Sequence, residues 1–161
     1  MKHWRYLIIS AFVILLHQLA QTWVYDLIEN HGGHIEVLPF FTLVKVWNPG
    51  VSFGMFKQLP HGQWLLSGMG IIVSLFLLRL LFITDSERSA AAFALIIGGA
   101  IGNVIDRLRF GAVADYLDFH AFSYHWPAFN LTDSAIFIGV VLLLLPEQGA
   151  QPASSSGLPT K

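Results

Sequence analysis

Four aspartates, Asp106, Asp115, Asp118 and Asp133, fall within 28 residues of a 161-residue chain that holds only ten acids. Two carboxylates a few ångströms apart at a water-poor boundary do not both ionise easily. Repulsion and desolvation push one pKa up, and the pair shares a proton. One carboxylate then takes a proton from water while the other donates to a scissile carbonyl. That is peptide hydrolysis without a metal, Ser or Cys nucleophile. The sequence offers little competition for it, with no Cys and no Gly-x-Ser-x-Gly. Lack of Cys also removes disulfides and thiolate metal sites. His31-Gly32-Gly33-His34 has H-x-x-H spacing, but it lies in a Gly-rich loop without a third ligand nearby, so neither metal nor cofactor is expected.

Three of the four acids also have a plain structural account. Asp106 is next to Arg107, which suggests an ion pair. Asp118 reads as a solvated loop acid. Asp133 reads as an acid at a helix N-terminus, where the dipole contributes about 0.3–1 kcal/mol. Asp115 has no such account. The residues alone leave open which two would pair.

The elements that position these acids follow from where charge is missing. Only 19 residues are charged, 12% of the chain, while 55% are hydrophobic and the mean hydropathy is +0.61. So few charges do not cover a soluble globule of this size. A net charge of −1 with no basic run argues against nucleic-acid binding. Uncharged runs of 20 residues (6–25), 21 residues (58–78) and 17 residues (89–105) match the roughly 20 residues that span a bilayer. A shorter run follows Asp133. Four transmembrane helices are expected over about 6–25, 62–83, 89–107 and 129–146. The first run is read as a retained helix rather than a cleaved signal peptide, because Leu19-Ala20-Gln21 is a poor cleavage site. The stripe Ala90, Ala94, Gly98, Gly102 on the third helix reads as close helix packing.

The loop over 26–61 is rich in Val, Phe, Trp and Ile around Asn48-Pro49-Gly50, and reads as short strands lying on the membrane surface. The expected fold is therefore an all-α membrane protein of four transmembrane helices with a small β-rich platform in the first loop. Residues 1–147 form a single domain and 148–161, rich in Pro, Gly and Ser, a disordered tail. Asp106 ends the third helix and Asp133 begins the fourth, so all four acids converge at one membrane boundary. Cations are split almost evenly, five against four, and do not orient the chain.

Three motifs then match one family. Gly102-Asn103-Val104-Ile105-Asp106-Arg107, followed by Gly111, Val113, Asp115 and Tyr116, resembles the G-N-x-x-D-R-x-x-x-G-x-V-x-D-[FY] signature of lipoprotein signal peptidase, signal peptidase II. Phe129-Asn130-Leu131-Thr132-Asp133 resembles its F-N-x-A-D, and Asn48-Pro49-Gly50-Val51-Ser52-Phe53 its N-x-G-[AV]-[AS]-F. The resemblance covers about residues 5–146. It implies an aspartic endopeptidase of the bacterial inner membrane that cleaves diacylglyceryl-modified prolipoproteins just before the lipid-bearing Cys. It implies Asp115 and Asp133 as the catalytic pair, Asn48, Asn103, Arg107 and Asn130 as polar residues lining the substrate site, and Gly50 as a further substrate-binding position. Asp106 and Gln18 would be structural supports, with Arg107 fixing the helix exit through Asp106. Both termini and the tail would be cytoplasmic, both long loops outside, and the site at the outer leaflet. The expected partners are prolipoprotein substrates and membrane lipid, with no nucleic acid, and the expected state is a monomer.

Two positions depart from the pattern. His17 stands where the first helix of the family reads D-Q-x-x-[KS], and Thr132 stands in place of Ala. A neutral His costs less in lipid than an ionised Asp and can hydrogen-bond the third or fourth helix. The alternative function is a small proton-coupled transporter, which would also need an intramembrane acid, usually near the midplane.

Overall fold

The computed structural model describes residues 3–50 and 61–146. Motif residues 51–53 and the expected tail over 148–161 lie outside the described residues. Among the described residues the elements are α1 (Trp4–Asn30), β1 (His34–Leu38), β2 (Phe41–Asn48), α2 (Gly62–Ile83), α3 (Glu87–Phe110), β3 (Val113–Ala121), β4 (Tyr124–His125) and α4 (Leu131–Leu144).

Among the described residues three helices, α1, α2 and α3, are long and apolar enough to cross a membrane. Their outward faces carry bare apolar side chains, such as Ile8, Phe12, Leu19 and Trp23 on α1 and Ile72, Leu75 and Phe76 on α2. Such faces suit a lipid solvent. The fourth apolar helix is shorter than expected. It begins at Leu131 because Phe129 is held by backbone pairing to β3, and its 14 residues end just before Pro146. At 1.5 Å per residue it spans about 21 Å, less than the roughly 30 Å of a bilayer core. Conversely, α1 runs five residues past its expected end. Ile28, fully buried, packs with Val24 and Tyr25 against Ala114 and Tyr116 of β3, so burial carries the helix beyond its charge-free run. Gly32 and Gly33, at φ of 84° and 102°, then turn the chain away from α1. Gly33 N donates to Ile28 O at 3.0 Å, which makes the H-x-x-H segment a helix terminus.

The central helix is α3, which packs on α1, α2 and α4. Its small-residue stripe makes this approach close. Ala90 and Ala94 are buried against Tyr6 and Leu81. A Cβ on Gly98 would lie 2.9 Å from Ser10 Cα, and Ser10 Oγ donates to Ala94 O at 2.7 Å. On the α4 side, a Cβ on Gly99 would lie 2.5 Å from the backbone oxygen of Thr132. At its end, α3 stops at Gly111 in the left-handed region, with Arg107 and Arg109 in the last turn.

The β-structure differs from a platform confined to the first loop. It is a four-stranded antiparallel sheet in the order β1-β2-β3-β4, built equally from the second loop. The β2–β3 register places Val46 opposite Asp115 and Asn48 opposite Val113. Asn48 is thus a diagonal neighbour of Asp115 on the same face. The alternation of β3 turns Ala114 and Tyr116 toward α1 and leaves Asp115 toward the ends of α3 and α4.

Close packing at Gly99 has a measurable consequence. Gly99→Ala meets α4 backbone and should lower stability by about 1–3 kcal/mol, read as a lower melting temperature in detergent. Gly68→Ala on α2, with nothing within 4 Å of its added Cβ, should leave the melting temperature unchanged or raise it.

Candidate active site

Asp115 sits on β3 with 2% of its surface exposed. Each of its carboxylate oxygens accepts one amide N–H. Asn48 Nδ2 donates to Oδ2 at 3.0 Å and Asn130 Nδ2 to Oδ1 at 2.9 Å. Burial pushes Asp115 up to about 7, and the nearby charge of Asp133 adds to the rise. The two amide donors and the Arg107 guanidinium pull the other way but do not cancel it.

Asp133 lies in the first turn of α4. Asn130 is the N-cap of that helix: its Oδ1 accepts from Asp133 N at 3.0 Å, while Asp133 Oδ2 accepts from Asn130 N at 3.4 Å. This reciprocal box satisfies two helix-terminal donors. Asn103 Nδ2, from α3, donates to Asp133 Oδ1 at 3.0 Å. The segment before α4 is tied to β3 by Tyr116 N and Leu117 N, both donating to Phe129 O, and by Phe129 N donating to Leu117 O. These backbone bonds bring Asn130 beside Asp115. One side chain, Asn130, therefore connects both aspartates.

The adjacent Asp106 and Arg107 do not pair. Successive helical residues project in different directions, and Asp106 turns to α1. His17 Nε2 donates to its Oδ2 at 3.1 Å and Gln18 Nε2 to its Oδ1 at 2.8 Å, with Ala114 N adding a third bond at 3.2 Å. His17 and Asp106 are both fully buried. Gln18 also accepts from Arg109 at 2.5 Å. Arg107 points instead to the Asn48–Gly50 turn, donating to Gly50 O at 2.8 Å and to Asn103 O at 3.4 Å. Gly50 N in turn donates to Asn48 Oδ1 at 3.1 Å, which aims the Asn48 amide at Asp115.

Asp118 stands apart. It is buried rather than solvated, and its carboxylate accepts from His125 Nδ1 at 2.8 Å. The convergence of acids is thus Asp106, Asp115 and Asp133. Two tyrosines also shape the site without having been singled out by any motif role. The Tyr25 hydroxyl lies 3.0 Å from Val46 O and 3.3 Å from Asp115 O, clasping β2 to β3. The Tyr116 hydroxyl accepts from Leu131 N at 3.4 Å. The available signal was the need of a buried Tyr hydroxyl for a partner.

Two cavities of about 450 Å³ flank Asp133. One lies between α2, α3 and α4, lined by Asn48, Gly70, Asn103, Val104, Arg107, Ile136, Phe137 and Val140 among others. The second lies across α4, under Trp126–Phe129, and shares Asp133 and Phe137 with the first. Asp133 therefore faces mainly apolar space with a few polar groups at one end. Among the described residues, no three His, Cys, Asp or Glu side chains are grouped as metal ligands.

Comparison with known proteins gives the same outline. The model of the family described as Signal peptidase (SPase) II matches residues 9–147. A lipoprotein signal peptidase of Azoarcus sp. is 47% identical over 86% of this chain and 80% of its own length. One from Alteromonas mediterranea is 40% identical over 98% of this chain and 88% of its own. The solved structure of a bacterial membrane enzyme, obtained in meso at 2.3 Å resolution, superposes with a TM-score of 0.72 at 30% identity. It covers 86% of this chain and 84% of that one.

The α1 anchor can be tested by substitution. His17→Asp sets a second buried carboxylate against Asp106 and should cost about 3 kcal/mol or more. His17→Gln keeps an N–H donor near the Nε2 position and should lose less. Thermal unfolding in detergent distinguishes the two, and equal stability of His17→Asp and wild type would contradict the assigned contact.

Proposed function

Because the chain belongs to the signal peptidase II family, we propose that it removes the signal peptide of diacylglyceryl-modified prolipoproteins just before the lipid-bearing Cys, with Asp115 and Asp133 as the catalytic pair. The observation that carries this reading is the Asn130 side chain, which links the two aspartates at the mouth of apolar cavities.

The proton inventory follows from the environments. Asp115, pushed up to about 7, holds the shared proton near neutrality. Asp133, whose negative charge adds to the rise at Asp115, is the ionised member. Asp133 takes a proton from water as the oxygen adds to the scissile carbonyl carbon, and Asp115 gives its proton to the carbonyl oxygen. In the second step Asp115 recovers a proton from the gem-diol while Asp133 protonates the leaving nitrogen, and the C–N bond breaks. The pair returns to its starting state and titrates as a unit.

An extended substrate backbone needs partners in an apolar groove. Asn48, Asn103 and Arg107 line the α2–α3–α4 cavity, and each amide has a second N–H beyond the one it gives to a carboxylate. Gly50 and Asn130 hold the two ends of this polar wall. The sheet, the aspartates, the end of α3 and the start of α4 lie on the side away from the α2–α3 turn. The family resemblance makes this the outward side, at the outer leaflet of the inner membrane, with both termini cytoplasmic. We assign no cofactor and no nucleic-acid partner, and the unit acts as a monomer. The acids stand at helix ends beside a sheet, which favours hydrolysis at the interface over transport through the midplane.

With purified protein in detergent and a lipidated prolipoprotein, Asp115→Asn and Asp133→Asn should each lower turnover by about 10³-fold or more while the protein still folds. Asp118→Asn should retain most activity, since its partner is His125. An Asp118→Asn variant as inactive as Asp115→Asn would overturn the choice of pair. Turnover should also fall as pH rises through about 7, because Asp115 must carry the proton in the first step. A rate that is flat across this range would contradict the assignment.

A further inference from the structure

Thr132 is fully buried, and its hydroxyl is the meeting point of two amides. Oγ1 donates to Asn103 Oδ1 at 2.6 Å and also lies against Asn130 Oδ1. Since both carbonyl oxygens turn toward the hydroxyl, both NH2 groups turn away from it, Asn103 to Asp133 and Asn130 to Asp115. Thr132 precedes Asp133 in the first turn of α4, so no helical carbonyl lies four residues back to capture its hydroxyl. Its methyl is set against α3: a Cβ on Gly102 would lie 2.5 Å from Thr132 Cγ2. The glycine and the methyl together fix the rotamer that sends the hydroxyl to the amides.

We propose that Thr132 is a positioning residue, whose hydroxyl sets the orientation of the Asn103 carboxamide so that Asp133 receives its N–H. The Asn130 carboxamide is fixed a second time by the helix cap, through Asp133 N. Asn103 has no such second restraint on its oxygen among the described contacts, so the effect of Thr132 falls chiefly on Asn103 and Asp133. Without the hydroxyl, the buried Asn103 oxygen loses its donor, and turning the amide over would bring that oxygen against a carboxylate. The family pattern has Ala at this position, so the device belongs to this chain rather than to the motif. The inference rests on the reading of Asp115 and Asp133 as the reacting pair.

The test compares Thr132→Val, which keeps the methyl and loses the hydroxyl, with Thr132→Ser, which keeps the hydroxyl, using the full chain and a lipidated prolipoprotein. Thr132→Val should lower kcat about tenfold with little change in KM. It should also move the acid limb of the pH–rate profile to higher pH, because a carboxylate stripped of a donor holds its proton more tightly. Thr132→Ser should restore both. Wild-type kcat and pH profile in Thr132→Val, a change in KM alone, or equal loss in Thr132→Ser would each overturn the proposal. Should Thr132→Val fail to fold, Thr132→Ala removes the hydroxyl without adding bulk and decides by the same readouts. Asp115→Asn and Asp133→Asn run alongside. Turnover surviving in either one defeats the reading of the pair, whereas loss in both with a silent Thr132→Val defeats only the positioning role.

Discussion

The Asn130 carboxamide faces two ways at once. Its nitrogen donates to Asp115 on β3, and its oxygen accepts from the backbone nitrogen of Asp133 on α4. Either bond alone would be ordinary, one a strand-to-loop contact and the other a helix cap. Together they make the geometry of the two aspartates depend on a single planar group. Much of the nearby structure serves to place that group. Backbone pairing of Phe129 with β3 sets its height, the short first turn of α4 sets its direction, and glycines of α3 let α4 come close enough.

Around this bridge, the polar groups are arranged as a chain of donors aimed at carboxylates. Asp115 receives two amides, Asp133 an amide and a backbone N–H, and Asp106 an imidazole, an amide and a backbone N–H. A carboxylate near a membrane is costly unless it is satisfied in this way. Asp106 ties α1 to the end of α3, as Asn130 ties the start of α4 to β3. Arg107 supports the opposite wall by gripping the backbone of Gly50. The cationic side chain thus shapes the turn that aims Asn48, without an ion pair to Asp106.

The membrane part of this fold was legible in the sequence because charge is excluded from lipid. The second helix, Gly62–Ile83, coincides with its expected span, and the stripe from Ala90 to Gly102 is the helix contact that its spacing suggested. The motifs also mark Asn48, Asn103, Asn130, Asp115 and Asp133, which hydrogen bonds join in the structure. Less legible was β3. Asp115, Asp118 and His120 interrupt the apolar alternation that marks a strand, because the strand buries acids for local partners rather than for a hydrophobic face. Adjacency in sequence misled at Asp106 and Arg107, where helical projection separates neighbours and brings residue 17 to residue 106. The length of α4 depended on a backbone pairing at Phe129 that no periodicity displays.

In the proposed pair, Asp115 holds one proton near neutrality. Infrared difference titration of protein labelled with carbon-13 aspartate tests it most directly, since a protonated carboxylic acid has its own C=O band. An aspartic-acid band is expected to persist well above the ordinary carboxylate range, to disappear as pH passes about 7, and to be absent from Asp115→Asn. Complete ionisation of all aspartates by about pH 5, or an unchanged band in Asp115→Asn, would contradict it.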